Sequence, residues 1–89
     1  MKVTVIGAAG WVGMSAAFYV AASRLADEMV LIDVRENLVE HHAMDLSTAV
    51  SGLDVKVKAG GYEDTVGTGV VINAAGLHGD ITADRTEML

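Results

Sequence analysis

Cysteine and proline are both absent from the 89-residue chain, and aromatic side chains make up only 4% of it. Without cysteine there is neither a disulfide framework nor a thiolate metal site, so the fold rests on its core alone, and a reducing cytoplasm suits it. Basic residues are also scarce. Six Lys and Arg stand against twelve Asp and Glu, for a net charge of −6. A surface that tracks nucleic-acid phosphates needs the opposite balance, which argues against a nucleic-acid partner. The apolar stretch from Val3 to Ala22 is interrupted by Gly7, Gly10 and Gly13. No uninterrupted run reaches the roughly 18 apolar residues of a membrane span, so the chain reads as soluble rather than as a secretory signal or a membrane segment.

What is present is apolar: 52% hydrophobic residues with a mean hydropathy of +0.41. So short a chain buries only about 60 to 65% of the surface it exposes when unfolded. Part of its apolar surface is therefore expected to face something beyond these residues. Lys2 to Ile6 (KVTVI) is a β-branched run ending at Gly7, as a buried parallel strand does. Trp11 to Leu25 has helical length and no breaker, and Met29 to Asp33 (MVLID) is a second strand closed by an acid. A helix is expected from Glu36 to Val50. Asp54 to Ala59 (DVKVKA) alternates as an outer strand does, and Gly69 to Ala74 (GVVINA) is a fourth, buried strand. Gly60 and Gly61 mark a loop, with a short helical turn at Tyr62 to Asp64, and Thr82 to Leu89 reads as the start of a further helix.

The segment GAAGWVG, Gly7 to Gly13, falls where the first strand gives way to the first helix. One glycine permits the tight turn, a second lets backbone approach a pyrophosphate, and a third lets helix and strand pack closely. The helix amino terminus then offers unpaired N–H groups and the positive end of its dipole to phosphate, so an acidic protein can bind a dinucleotide without basic side chains. Asp33 stands twenty residues beyond Gly13 at the end of the second strand, where a carboxylate accepts the hydroxyls of the adenine ribose. It would also repel a 2′-phosphate, which favours NAD over NADP, although Arg35 two residues later keeps NADP open. Packing glycines and a capping aspartate explain these residues singly, but not their joint spacing. The expected architecture is α/β: half of a Rossmann-type fold, four parallel strands in order 3-2-1-4 with helices on both faces.

Taken together, GAAGWVG, Asp33, AMDL (Ala43 to Leu46), GGYEDT (Gly60 to Thr65), the AG pair Ala75 and Gly76, and Arg85 with Glu87 and Met88 resemble the amino-terminal half of the lactate/malate dehydrogenases, most closely the malate-dehydrogenase-like branch. The resemblance covers the whole chain. It implies an NAD-dependent oxidoreductase that moves hydride between NAD and a small 2-hydroxy acid, with residues 1–89 forming the amino-terminal part of the dinucleotide-binding domain and the catalytic domain lying elsewhere. By position, Gly7, Ala8, Ala9, Gly10, Trp11, Val12 and Gly13 would surround the pyrophosphate, Asp33 the ribose, and Ala75 and Gly76 the approach to the nicotinamide. Arg85 would be the one catalytic residue in the chain, polarising the substrate ketone from a closing loop. These 89 residues alone would then be inactive. The resemblance also implies a cytoplasmic homo-oligomer with contacts through the 36–50 helix.

Departures from the family pattern bear on the substrate. Gly79 occupies the position at which malate enzymes carry a carboxylate-binding arginine, the substrate loop lacks its usual proline, and Gly69, Asn73 and Ala74 replace other family residues. Malate specificity is thereby left open. GLHGD, Gly76 to Asp80, is similar to the family's catalytic histidine motif, but its spacing places His78 in the substrate loop instead. His41 and His42, adjacent on a helix, point about 100° apart and cannot easily share a metal. Two further readings remain. NAAG, Asn73 to Gly76, is similar to a signature of extended short-chain dehydrogenases and epimerases, which a downstream tyrosine-x-x-x-lysine would mark. The other is a non-catalytic nucleotide-binding module.

Overall fold

The computed structural model describes residues 1–75. Gly76, His78, Gly79 and Arg85 therefore lie outside the described residues, as does the helix expected from Thr82.

Four strands, β1 (Lys2–Ile6), β2 (Glu28–Ile32), β3 (Lys56–Ala59) and β4 (Val70–Asn73), form one sheet in the order β3-β2-β1-β4. All three pairings are parallel, with Val3 opposite both Met29 and Val70 and Val5 opposite both Leu31 and Ile72. This is the 3-2-1-4 order of a Rossmann half. Because side chains alternate along a strand, Val3, Val5, Met29 and Leu31 project to one face, where they meet α1 (Trp11–Ala22) and α2 (Glu36–Ala49). The helices supply Ala17, Val20 and Ala21, and Val39, Ala43 and Leu46, each set at helical spacing. Burial of each large apolar side chain here contributes roughly 1.5–3 kcal/mol, and Met29, Leu31, Leu46 and Val5 are wholly enclosed.

The opposite face carries Thr4, which is fully buried; its hydroxyl shares a 2.8 Å hydrogen bond with that of Thr68. Lys2 donates to the Val66 carbonyl oxygen at 2.9 Å, and Lys58 to Asp64 at 2.9 Å. These bonds draw the β3–β4 connection, with its 3₁₀ turn at Tyr62–Thr65, across that face. Helical structure thus flanks both faces, the α-helices together on one and the short turn on the other. No helix among the described residues is long and apolar enough to cross a membrane.

Element edges differ from the sequence-based expectation for identifiable reasons. α1 stops at Ala22 rather than Leu25 because Arg24 takes a left-handed φ of 59°. The Leu25 N–H donates to Val20 O and the Arg24 N–H to Ala21 O, a Schellman closure with arginine where glycine is usual. β3 begins at Lys56 because Asp54, with φ 56°, turns the chain just before it. β2 runs from Glu28 to Ile32, leaving Asp33 just past the strand end, α2 ends at Ala49, and β4 is confined to Val70–Asn73. Val70 and Val71 are exposed on β4, which among the described residues has a strand neighbour on one side only.

Candidate functional site

The site is built where β1, β2 and β4 all end. Gly7 leaves β1 with φ +79°, a conformation L side chains rarely adopt, and its N–H and that of Ala8 both donate to the Ile32 carbonyl oxygen at 2.8 and 3.1 Å. A Cβ at Gly7 would stand 2.6 Å from Ala75 Cα, so glycine here admits the chain leaving β4. At Gly13 a Cβ would lie 2.1 Å from the Gly7 carbonyl oxygen. Only a missing side chain lets the first turn of α1 sit directly on the end of β1.

α1 begins without a side-chain cap. Its N-cap is Gly10, and no acidic residue occupies the first turn. The first intrahelical bond runs from Met14 N–H to Gly10 O at 2.9 Å, so the N–H groups of Trp11, Val12 and Gly13 have no partner within the helix. Unpaired donors, a positive dipole end and bare backbone in the loop fit the pyrophosphate of a dinucleotide. No side chain among the described residues caps that position.

Asp33 joins this loop to the end of β2. Its side chain is 3% exposed, and its Oδ2 accepts the Ala9 N–H at 3.0 Å. Arg35 supplies three more donors: its backbone N–H and Nε to Oδ1 at 2.9 and 3.0 Å, and an Nη to Oδ2 at 3.1 Å. Burial alone would raise the pKa of this carboxyl. The bonds from the Arg35 side chain, the Arg35 backbone and the Ala9 backbone outweigh it and bring the value down from 3.8 to about 2. A carboxyl depressed in the native state contributes stability that is complete above its unfolded pKa and is lost as pH falls through the native one. Asp33 is therefore expected to contribute about 2 kcal/mol near neutrality, fading between about pH 4 and pH 2. Urea midpoints at about pH 5 and pH 2.5 check this: Asp33→Asn should lose less stability than the parent across that interval. Equal losses would refute the assignment.

Gly7, Asp33 and Ala75 share one cleft of about 610 Å³, together with Ile6, Val34, Arg35, Gly60, Gly61 and Tyr62. The expected phosphate, ribose and nicotinamide-side positions are thus neighbours. Ala8 and Ala9 are buried behind the loop. Ala9, Gly10 and Trp11 border a second, apolar groove with Met14, Phe18 and His42. Trp11 is 86% exposed and so is not a packing residue among residues 1–75. Val34 and Tyr62, at 95% and 67% exposure, received no role from the sequence. The available signal was an apolar residue directly after Asp33 and an aromatic directly after the Gly60–Gly61 pair. No group of three or more His, Asp or Glu residues arranged to hold a metal occurs among the described residues.

The geometry is matched by known proteins. The family model described as lactate/malate dehydrogenase, NAD binding domain, matches residues 1–89. L-lactate dehydrogenase 1 of Clostridium acetobutylicum is 45% identical over 89 residues, which is 99% of this chain and 28% of the relative. Malate dehydrogenase of Haloarcula marismortui is 39% identical over 79 residues, 85% of this chain and 26% of the relative. Among solved structures, the malate dehydrogenase of Archaeoglobus fulgidus in complex with NADH superposes with a TM-score of 0.75 at 38% identity, covering 86% of this chain and 27% of that one. The chain thus spans little more than a quarter of the length of the relatives it matches. On the full-length family match and the concordant fold, the chain belongs to the lactate/malate dehydrogenase family, as an NAD-binding domain.

Proposed function

We propose that residues 1–89 are the amino-terminal part of the dinucleotide-binding domain of an NAD-dependent 2-hydroxy acid dehydrogenase, malate- or lactate-like. The observation that carries this is Asp33: a nearly enclosed, ionised carboxylate tied to an uncapped glycine loop and opening on the cleft that also holds Gly7 and Ala75. The backbone of Gly7 to Gly13, Trp11 and Val12 included, receives the pyrophosphate. Asp33 orients the adenine ribose, and Ala75 with Gly76 borders the nicotinamide side. NAD, when bound, supplies the hydride acceptor or donor. Arg85 polarises the ketone oxygen of a 2-oxo acid as charge develops there. Catalysis requires residues beyond this chain, because an acid/base and a second substrate-binding group have no counterpart assigned within it. Relatives named both lactate and malate dehydrogenase resemble the chain comparably, so the substrate class is a small 2-hydroxy acid.

The exposed apolar side chains Leu38 and Met44 of α2 support a homo-oligomer with contacts through the 36–50 helix. The central test is NADH titration followed by fluorescence of Trp11, the single tryptophan, which begins α1 beside the glycine loop. Saturable binding is expected, and Asp33→Ser should weaken it by roughly tenfold or more through loss of charge-assisted bonds to the ribose. NADH affinity untouched by Asp33→Ser would remove Asp33 from the ribose site.

A further inference from the structure

The clamp on Asp33 bears on which dinucleotide the cleft admits. An ionised carboxylate has about four acceptor positions. In this structure four protein donors occupy them: two on Oδ1 from Arg35, and one each on Oδ2 from Ala9 and Arg35. Ribose hydroxyls can donate to Asp33 only after the guanidinium turns aside. Among the described residues, Arg35, in contrast, has donors to spare. A guanidinium carries five N–H groups, of which Asp33 takes one from Nε and one from Nη. The rest lie on a side chain 39% exposed, in a residue that lines the cleft.

We propose that Arg35 is the specificity-determining residue at the ribose end of the cleft, and that it makes the domain accept a 2′-phosphorylated dinucleotide alongside NAD. The proposal rests on the reading of the cleft as a dinucleotide site. A phosphate is met by the free guanidinium N–H groups with the Asp33 pair intact, and that pairing cancels the negative charge that would otherwise repel it. Arg35 is also the N-cap of α2, so the positive end of a second helix dipole faces the same place. Glu36 lines the cleft and opposes a phosphate, but it is exposed and screened by solvent. NAD binding, by comparison, has to displace two side-chain bonds.

The test is calorimetric titration of the protein with NADH and with NADPH. The parent is expected to bind both, with affinities within about tenfold. Arg35→Ala should weaken NADPH and leave NADH as tight or tighter, moving their ratio by roughly tenfold or more. Arg35→Gln, which keeps the stem and two donors without the charge, should shift the ratio in the same direction and guards against a folding defect in the alanine variant. NADPH affinity unmoved in both variants, or a parent that binds NADH and rejects NADPH, would overturn the proposal alone. A folded parent that binds neither would overturn it together with the reading of the cleft.

Discussion

Gly13→Ala is expected to lower the urea midpoint sharply and to abolish NADH binding, although it adds a single methyl group. The reason is where that methyl would go. It would lie 2.1 Å from the Gly7 carbonyl oxygen, 2.8 Å from the Gly7 carbonyl carbon and 3.0 Å from Ala8 Cα. All three are backbone atoms of the loop itself, so no flexible side chain can yield. α1 must move off the end of β1, which breaks the contact of Ala17, Val20 and Ala21 with the sheet. Overpacking of this kind costs typically 1–3 kcal/mol, and backbone collision puts this case at or above the top of that range, a large share of a small domain's stability. Gly52→Ala is the control. Nothing stands within 4 Å of a Cβ there, and the change should stay within about 0.5 kcal/mol. A Gly13→Ala protein with the parent's midpoint would show that the close approach of helix and strand is not required.

The second large effect is expected at Arg85. In the whole enzyme, Arg85→Ala should reduce kcat by roughly 10²–10³-fold while changing NADH affinity little. The asymmetry follows from the proposed role, since a guanidinium aimed at the ketone oxygen acts on charge that exists only as the hydride moves. Arg85→Lys should recover a minor part of the rate, because an ammonium supplies charge without the planar fork. Turnover with pyruvate and with oxaloacetate, measured alongside NADH binding, checks this. Unaltered turnover removes Arg85 from the mechanism, and comparable loss of NADH affinity would make it a binding residue instead.

The sheet was legible because its signals are local. KVTVI, MVLID and GVVINA are β-branched runs closed by glycine, aspartate or a loop, and parallel order follows from the helical lengths between them. The glycine loop and Asp33 were legible through spacing. What escaped depended on torsions and on distant partners. Nothing in the sequence marks Arg24 as left-handed, so the first helix was expected to be three residues longer than it is. The four-donor clamp on Asp33 requires Arg35 to cap α2 with its side chain folded back, which one basic residue two positions away does not reveal. The Thr4–Thr68 bond joins residues 64 apart, and a threonine in a β-branched run looks like any other. Val34 and Tyr62 became candidates for the cleft only through their exposure beside Asp33.

The order β3-β2-β1-β4 also has a temporal side. β1 precedes the other three strands in the chain, yet it pairs on both edges, with β2 and with β4. Its β2 edge can close once residue 32 has emerged, whereas Val3 to Ile6 wait for Val70 to Asn73 on the other. At about 5–20 residues per second, that interval lasts several seconds. During it Val3 and Val5 lie in a strand with one unsatisfied backbone edge, a template for pairing with another nascent chain. The segment that ends this exposure is the same one that carries Ala75 against Gly7, so pairing of the second edge of β1 and assembly of the cleft are a single event.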